Sequence, residues 1–265
     1  MNKMITLLTD FGTADGFVGG MKGFIKSFNP EVELVDISHD IPPFDIRSAA
    51  FSLLNYASTF PSETVHLVVV DPGVGGERKP LVIRWNNYWL VGPDNGVFSL
   101  LLKEGPYQAY VIRRQKLPVT SPSSTFHGRD IFGPAAALLA GGKEVNRFCT
   151  KINRISVHPS LSCQQKKSVF VCPALAIDHF GNIITPFHKS ELQRLKKSIN
   201  TIRIKSRTIN HVSSYYAQEQ PGHIMALWNS LGLLEIACNQ GNARKEIGFD
   251  LNTDKVYIYY DLNGM

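Results

Sequence analysis

Residues 68–79, VVVDPGVGGERK, constrain the fold more than any other stretch of the chain. They close an apolar run, 64–70, that has no polar alternation, and such a run reads as a strand buried on both faces. Open α/β sheets place ligands at the carboxyl ends of such strands, which makes Asp71 a candidate working residue. Gly73, Gly75 and Gly76 let the backbone turn tightly beside it. Arg78 follows Asp71 closely enough for an ion pair across the loop, although a solvated turn with a surface salt bridge fits the same letters.

The neighbouring segments supply what a buried strand requires. Residues 4–9 form a second apolar run, ending at Asp10, and the segment after it spaces Phe17, Met21, Phe24 and Ile25 as a helix does. Residues 33–37 read as a strand. Pro42 and Pro43 then force an extended connection, and Asp45 is placed to cap a helix over 46–56. Strand and helix alternate, which predicts a doubly wound, mainly parallel α/β sheet. Residues 81–84 and 88–91 flank Asn86 and Asn87 as a hairpin, and GPDNG at 92–96 leads into a helix start at 97–102. A small-residue helix over 135–140 is closed by Gly141 and Gly142, with Asp130 placed to cap it. Pro159 and the polar run QQKK mark 158–167 as a linker between an N-terminal domain, 1–157, and a C-terminal domain, 168–265. Beyond the linker, short strand-like segments separated by turn residues predict a small antiparallel β domain, barrel or sandwich.

With 265 residues, 43% of them hydrophobic, the chain can bury a sizeable core, which excludes disorder. The formal charge of +6 comes without an Arg/Lys run of the kind that grips nucleic acid, so no nucleic-acid partner is expected. The basic residues from Arg194 to Arg207 read as a solvated face. The four cysteines show no paired spacing, so neither a zinc site nor a disulfide framework is expected, and reduced thiols follow. No apolar run reaches spanning length and the N-terminus lacks a signal pattern, which points to a cytoplasmic protein with no membrane partner.

Asp, Asn, Ser and Gly gather beside aromatic or apolar residues in the loops TDFG at 9–12, DHFGN at 178–182, NSLG at 229–232 and CNQGN at 238–242. A carboxylate accepts hydrogen bonds from both hydroxyls of a ribose, an aromatic face stacks on a base, and Asn matches an adenine edge. The inventory suits a nucleoside, although each cluster singly is ordinary turn chemistry. The absence of a Walker loop and of a dinucleotide fingerprint argues against a triphosphate or dinucleotide. His127 alone fits a structural histidine, but in company with Asp71 and Arg78 it would orient and polarise a water. His39, Asp40 and Asp45 lack metal-ligand spacing, and no metal is expected.

Taken in order, TDFGTADGFVGGMKG, HDIPPFDIRSAAF, VVDPGVGGERK, GPDNG, TFHGRDIFGPAAALLA, DHFGNIIT and NSLGLLEIACNQGNA span nearly the whole chain. Together they resemble the S-adenosyl-L-methionine (SAM) hydroxide adenosyltransferases, adenosine-forming SAM hydrolases related to the SAM-dependent fluorinase and chlorinase. The resemblance implies an N-terminal α/β domain and a C-terminal antiparallel β-barrel. It also implies a homotrimer whose active sites lie between the N-terminal domain of one subunit and the C-terminal domain of its neighbour, with SAM as substrate and no cofactor. Asp10 would accept the ribose hydroxyls and Phe44 would wall the pocket. Asp15, Asp178 and Ser230 would hold the methionine amine and carboxylate, and Phe180 would stack near adenine with Asn182 and Asn239 on its edge.

Asp71, Arg78 and His127 match the family's water-activating trio. Asp71 and His127 would orient the water and accept its proton, while Arg78 would fix the carboxylate and stabilise hydroxide character. The fluorinase carries a Tyr in place of Asp71 and a Ser in place of Gly128, both at its halide site, so the chain departs from the halogenases where the nucleophile is chosen. It also has Leu231 where the fluorinase carries an Arg, a departure that bears on the methionine carboxylate contact. The implied activity is hydrolysis of SAM to adenosine and L-methionine. The alternatives are a nucleophilic halogenase and a protein that binds SAM or adenosine without turnover.

Overall fold

The computed structural model describes residues 4–261. The chain divides after His158 into two compact units.

The first unit is built on a seven-stranded sheet with order β2-β1-β3-β5-β4-β6-β7. Its strands are β1 (Met4–Thr9), β2 (Glu33–Ser38), β3 (Val65–Val69), β4 (Pro80–Trp85), β5 (Tyr88–Pro93), β6 (Tyr107–Ile112) and β7 (Cys149–Ile152). β2, β1, β3 and β5 are parallel neighbours, while β4, β6 and β7 continue the sheet antiparallel. All five residues of β3 are buried, as its unbroken apolar run requires. Alternate side chains feed two cores. Ile5, Leu7, Val65 and Leu67 pack with Met21 and Ile25 of α1 (Phe17–Phe28) and Ala135 and Ala136 of α3 (Gly133–Ala140). Leu8, Val68 and Val70 pack on the other face with Leu53 of α2 (Ile46–Tyr56) and with Val97 and Phe98. The sheet is therefore doubly wound.

Local chemistry sets the helix ends. Asp45 caps α2, accepting the Arg47 and Ser48 N–H groups at 3.0 and 3.2 Å, a contribution of about 1 kcal/mol. The expected helix at 97–102 is a turn followed by a 3₁₀ segment, Leu101–Glu104, which Gly105 and Pro106 stop. α3 is entered through a single π-helical turn, Gly128–Phe132. Asp130 does not cap it. Its carboxylate accepts the Ser123 N–H at 2.7 Å and pairs with Arg129 at 2.6 Å.

The second unit holds β8 (Gln164–Lys166), β9 (Val169–Cys172), β10 (Ala176–Ile177), β11 (Ile183–His188), α4 (Lys189–Leu195), β12 (Ile199–Ile204) and β13 (Arg207–Ile209). β14 (Ile224–Trp228), β15 (Leu233–Cys238), α5 (Ala243–Ile247) and β16 (Val256–Tyr260) complete it. They form two antiparallel sheets, β10-β11-β15-β14 and β13-β12-β16-β9-β8. Phe170, Phe187, Ile202, Leu234 and Ile258, drawn from both sheets, share one core. Neither sheet closes on itself among the described residues, so two sheets over a common core stand where the resemblance implied a barrel.

Two features of 158–167 differ from the expectation of an irregular stretch with reduced thiols. It contains a 3₁₀ turn, Pro159–Leu161, and strand β8. The β8–β9 hairpin pairs Gln164 with Val171, which brings Cys163 opposite Cys172, and these two cysteines form a disulfide. Spacing alone does not reveal a bridge across a hairpin. Cys149 and Cys238 are free and buried.

Candidate active site

Two strand ends and one helix entry place the carboxylates and the imidazole of the first unit. β1 ends at Thr9 with Asp10 next, β3 runs out through Val70 to Asp71, and His127 precedes the π turn. A cavity of about 290 Å³ opens there, lined by Asp10, Phe11, Asp15, Phe17, Pro43, Phe44, Val69, Asp71, Val74, Phe126, His127 and Gly128. Phe11 and Phe17 both meet Phe126 edge-on, at 5.8 and 5.1 Å between ring centres. Sequence reasoning assigns no site role to these three rings. The helical spacing of Phe17, Met21, Phe24 and Ile25 holds, but the buried stripe of α1 is Val18, Met21 and Ile25, and Phe17 is exposed.

The structure brings Asp71, Arg78 and His127 together. Arg78 Nε donates to both Asp71 oxygens at 3.0 and 2.9 Å, and its Nη2 donates to Asp71 Oδ2 and to His127 Nδ1, the latter at 2.6 Å. The Asp71 and Arg78 side chains are only 5% and 9% exposed, so this is a buried ion pair and not the surface bridge the sequence also allowed. Removing one partner of such a pair costs roughly 3–5 kcal/mol. Arg78 lies behind the cavity wall, its guanidinium 5.2 Å from the Phe132 ring centre.

Arg78 always donates, so His127 Nδ1 must accept and the neutral ring carries its proton on Nε2. Burial first, and then the nearby charge of Arg78, push the His127 pKa down to about 4. The imidazole is therefore neutral near pH 7 and offers an N–H, which replaces the expected proton acceptor with a hydrogen-bond donor.

Asp10 Oδ2 accepts the Phe44 N–H at 2.9 Å. Burial raises the Asp10 pKa against the lowering effect of that bond, with the Asp71 charge adding to the rise. Phe44 is 70% exposed and held at φ +66°, a left-handed conformation that is uncommon for a bulky residue. Asp15 is exposed and accepts the Phe17 N–H at 3.1 Å.

The remaining candidates lie in the second unit. Asp178 Oδ1 accepts the Phe180 and Asn182 N–H groups at 2.9 and 2.8 Å, and Oδ2 accepts Asn182 Nδ2 at 2.9 Å. Three of its roughly four acceptor positions are thus occupied within its own loop. Asn239 Nδ2 donates to the Glu219 carbonyl at 2.7 Å. Asn182 and Asn239 therefore each have an amide N–H engaged within the second unit. Phe180 is 71% exposed, and Ser230 is exposed beside Leu231. Glu235, on β15 within the apolar run LLEIAC, is buried; burial first raises its pKa above the ordinary value, and its Oε1 accepts the Tyr216 hydroxyl at 2.6 Å. Among the described residues no group of three or more His, Cys, Asp or Glu is arranged to hold a metal, and no helix is long and apolar enough to cross a membrane.

Comparison with known proteins matches residues 5–149 to the SAM hydroxide adenosyltransferase N-terminal domain and residues 173–255 to the SAM hydroxide adenosyltransferase C-terminal domain. A Methanocaldococcus jannaschii protein named (R)-S-adenosyl-L-methionine hydrolase is 38% identical, across 97% of this chain and 96% of the relative. A solved structure of an uncharacterized conserved protein from Thermotoga maritima superposes with a TM-score of 0.84 at 31% identity, covering 97% of this chain and 100% of the other. A fluorinase from Actinoplanes is more distant, 25% identical over 73% of this chain and 74% of its own. Two domain matches in sequence order, with homologues aligned from end to end, make the chain a member of the SAM hydroxide adenosyltransferase family.

Proposed function

We propose that the protein is a SAM hydrolase that forms adenosine and L-methionine by attack of water on C5′. The observation that carries this reading is a carboxylate and a neutral imidazole N–H, both locked from behind by Arg78, on the wall of a cavity that also presents Asp10 and Phe44. The sulfonium of SAM is already a good leaving group. The protein's task is to position and dry the reactants and to manage one proton.

The water oxygen bonds to C5′, the C5′–S bond breaks, and its electron pair stays on the methionine sulfur. Asp71 accepts the water proton, the His127 Nε2–H points a hydrogen bond at the attacking oxygen, and Arg78 positions both without touching the reacting atoms. Asp10 holds the ribose hydroxyls and Phe44 walls the pocket. Phe180 stacks near adenine, and the Asn182 and Asn239 oxygens, whose amide groups already have partners, accept from its amino group. The open acceptor position of Asp178, with Asp15 and the exposed Ser230, holds the methionine end. No resident cofactor is called for, since sulfonium departure needs none.

The cavity of about 290 Å³ lies at the lower limit of the roughly 300–1,000 Å³ that drug-sized ligands occupy. The resemblance supplies the reading that the chain works as a homotrimer, the cavity of one subunit completed by the second unit of a neighbour. The cytoplasm is the proposed compartment.

Turnover of SAM in ¹⁸O-labelled water tests the function. Adenosine labelled at the 5′ oxygen, formed at a rate indifferent to chloride or fluoride, is the expected product. Main-product 5′-chloro-5′-deoxyadenosine at high chloride would replace this reading with a halogenase, and binding without turnover would replace it with a SAM sensor.

A further inference from the structure

Behind the cavity a file of side chains runs from the surface to the end of β1. Lys22 Nζ on α1 lies 2.6 Å from Asp36 Oδ2 on β2, and Asp36 Oδ1 lies 3.0 Å from His39 Nε2. His39 Nδ1 lies 2.8 Å from Thr9 Oγ1, which accepts the Phe11 N–H at 3.3 Å. Partial burial raises the Asp36 pKa, but the bonds from Lys22 and His39 outweigh it and hold the carboxyl below its ordinary value. A carboxylate only accepts, so Nε2 carries a proton, and in the neutral tautomer Nδ1 is left to accept the Thr9 hydroxyl.

Threonine, histidine and aspartate in series resemble a nucleophile and its activators. Thr9 has no exposed surface, however, and His39 is 4% exposed, so no substrate reaches that hydroxyl. The file acts on the loops instead. Residues 9–12 and 39–45 carry Asp10 and Phe44 and, besides the Thr9–His39 side-chain bond, are joined by three bonds from backbone N–H groups: Gly12 N–H to the His39 carbonyl at 2.7 Å, Ile41 N–H to the Thr9 carbonyl at 3.4 Å, and Phe44 N–H to Asp10 Oδ2 at 2.9 Å. The buried Thr9–His39 bond lies at the root of this seam. Phe44, at φ +66°, needs such support, since a left-handed non-glycine residue costs roughly 1–3 kcal/mol and persists only where its surroundings impose it.

We propose that His39 is a positioning residue of the SAM site: held by Asp36, its imidazole locks Thr9 and with it the two loops that present Asp10 and Phe44. This rests on reading the cavity as the SAM site. Asp10 would grip the ribose equally in the ground and transition states, so loosening it acts on KM and spares kcat.

In His39→Leu, KM for SAM rises about tenfold while kcat changes by less than about threefold. Thr9→Val, nearly isosteric, gives the same rise and carries the test if His39→Leu does not fold; the double variant adds nothing more. His39→Asn, whose carboxamide oxygen stands near the place of Nδ1, recovers most of the wild-type KM. Amide hydrogen exchange at Phe11, Gly12 and Phe44 quickens in His39→Leu and slows again in His39→Asn. Loss of activity at unchanged KM, with no recovery in His39→Asn, would make His39 a core residue only and overturn the proposal. Wild-type protein inert on SAM would remove the functional reading instead; unchanged exchange at those amides would then overturn the locking role, and quickened exchange would support it.

Discussion

Single side chains decide the chemistry here through the direction of their hydrogen bonds. Asp71→Asn keeps the shape and removes the proton acceptor, so SAM affinity should stay within a few-fold while turnover falls at least about a hundredfold. Isothermal titration and single-turnover kinetics measure the two effects separately, and near-full turnover would remove Asp71 from the mechanism. His127 should titrate near 4, with its proton on Nε2 throughout the neutral range. Nitrogen-15 NMR of the ring reads both the pKa and the tautomer, and a pKa near 6.5 would contradict the burial and the Arg78 contact. The place of Asp10 and Asp71 just past strand ends was legible in the sequence because a carboxylate after a buried apolar run marks such an end. The tautomer of His127, and so its character as a donor, was not, since the contact that fixes it joins residues 49 apart in the chain.

At the scale of elements, the strands that sequence shows best are those with no solvent face. β1 and β3 announce themselves as unbroken apolar runs, whereas β7, CTKI, has two exposed residues among its four, and neither it nor β6 was read as a strand. Barrel closure could not be read at all, because it depends on pairing between distant strands. β3 also carries a liability. His66 is fully buried, shares a hydrogen bond at Nδ1 with Thr6 Oγ1 at 2.8 Å, and has no well-formed hydrogen bond at Nε2, and the Ala57 backbone offsets only part of the burial. Burial pushes its pKa down to about 3 from 6.5. A depressed histidine contributes stability that is fully present above its unfolded pKa and is lost as pH falls towards the folded value. Between about pH 6 and pH 4 that loss should approach 1.4 kcal/mol per pH unit, roughly the slope of one proton. Denaturant unfolding across this range should show it, and His66→Leu should flatten the acid limb even if it lowers stability at pH 7.

At the scale of the molecule, the proposed trimer makes each site a joint product of two chains. A mixture of Asp71→Asn and Asp178→Ala proteins that exchanges subunits should recover activity, since some interfaces then receive both intact halves; no recovery despite proven exchange would place the whole site within one subunit. The change from an α/β first unit to a β-rich second unit was legible from the texture of the sequence, whereas the Cys163–Cys172 bridge was not, because it is made by a hairpin and not by spacing. The close fit around Gly128 also bears on descent. A Cβ at that position would stand 2.9 Å from Phe11 Cζ and 3.1 Å from Cε2, and Phe126 backs that ring edge-on. If hydrolases and fluorinases parted by exchanging glycine for serine here, the steps were not free to occur in either order. Gly128→Ser alone should cost more SAM hydrolysis than the same change made after Phe11→Val clears the space, so the aromatic ring weighs on the order in which the two activities can be exchanged.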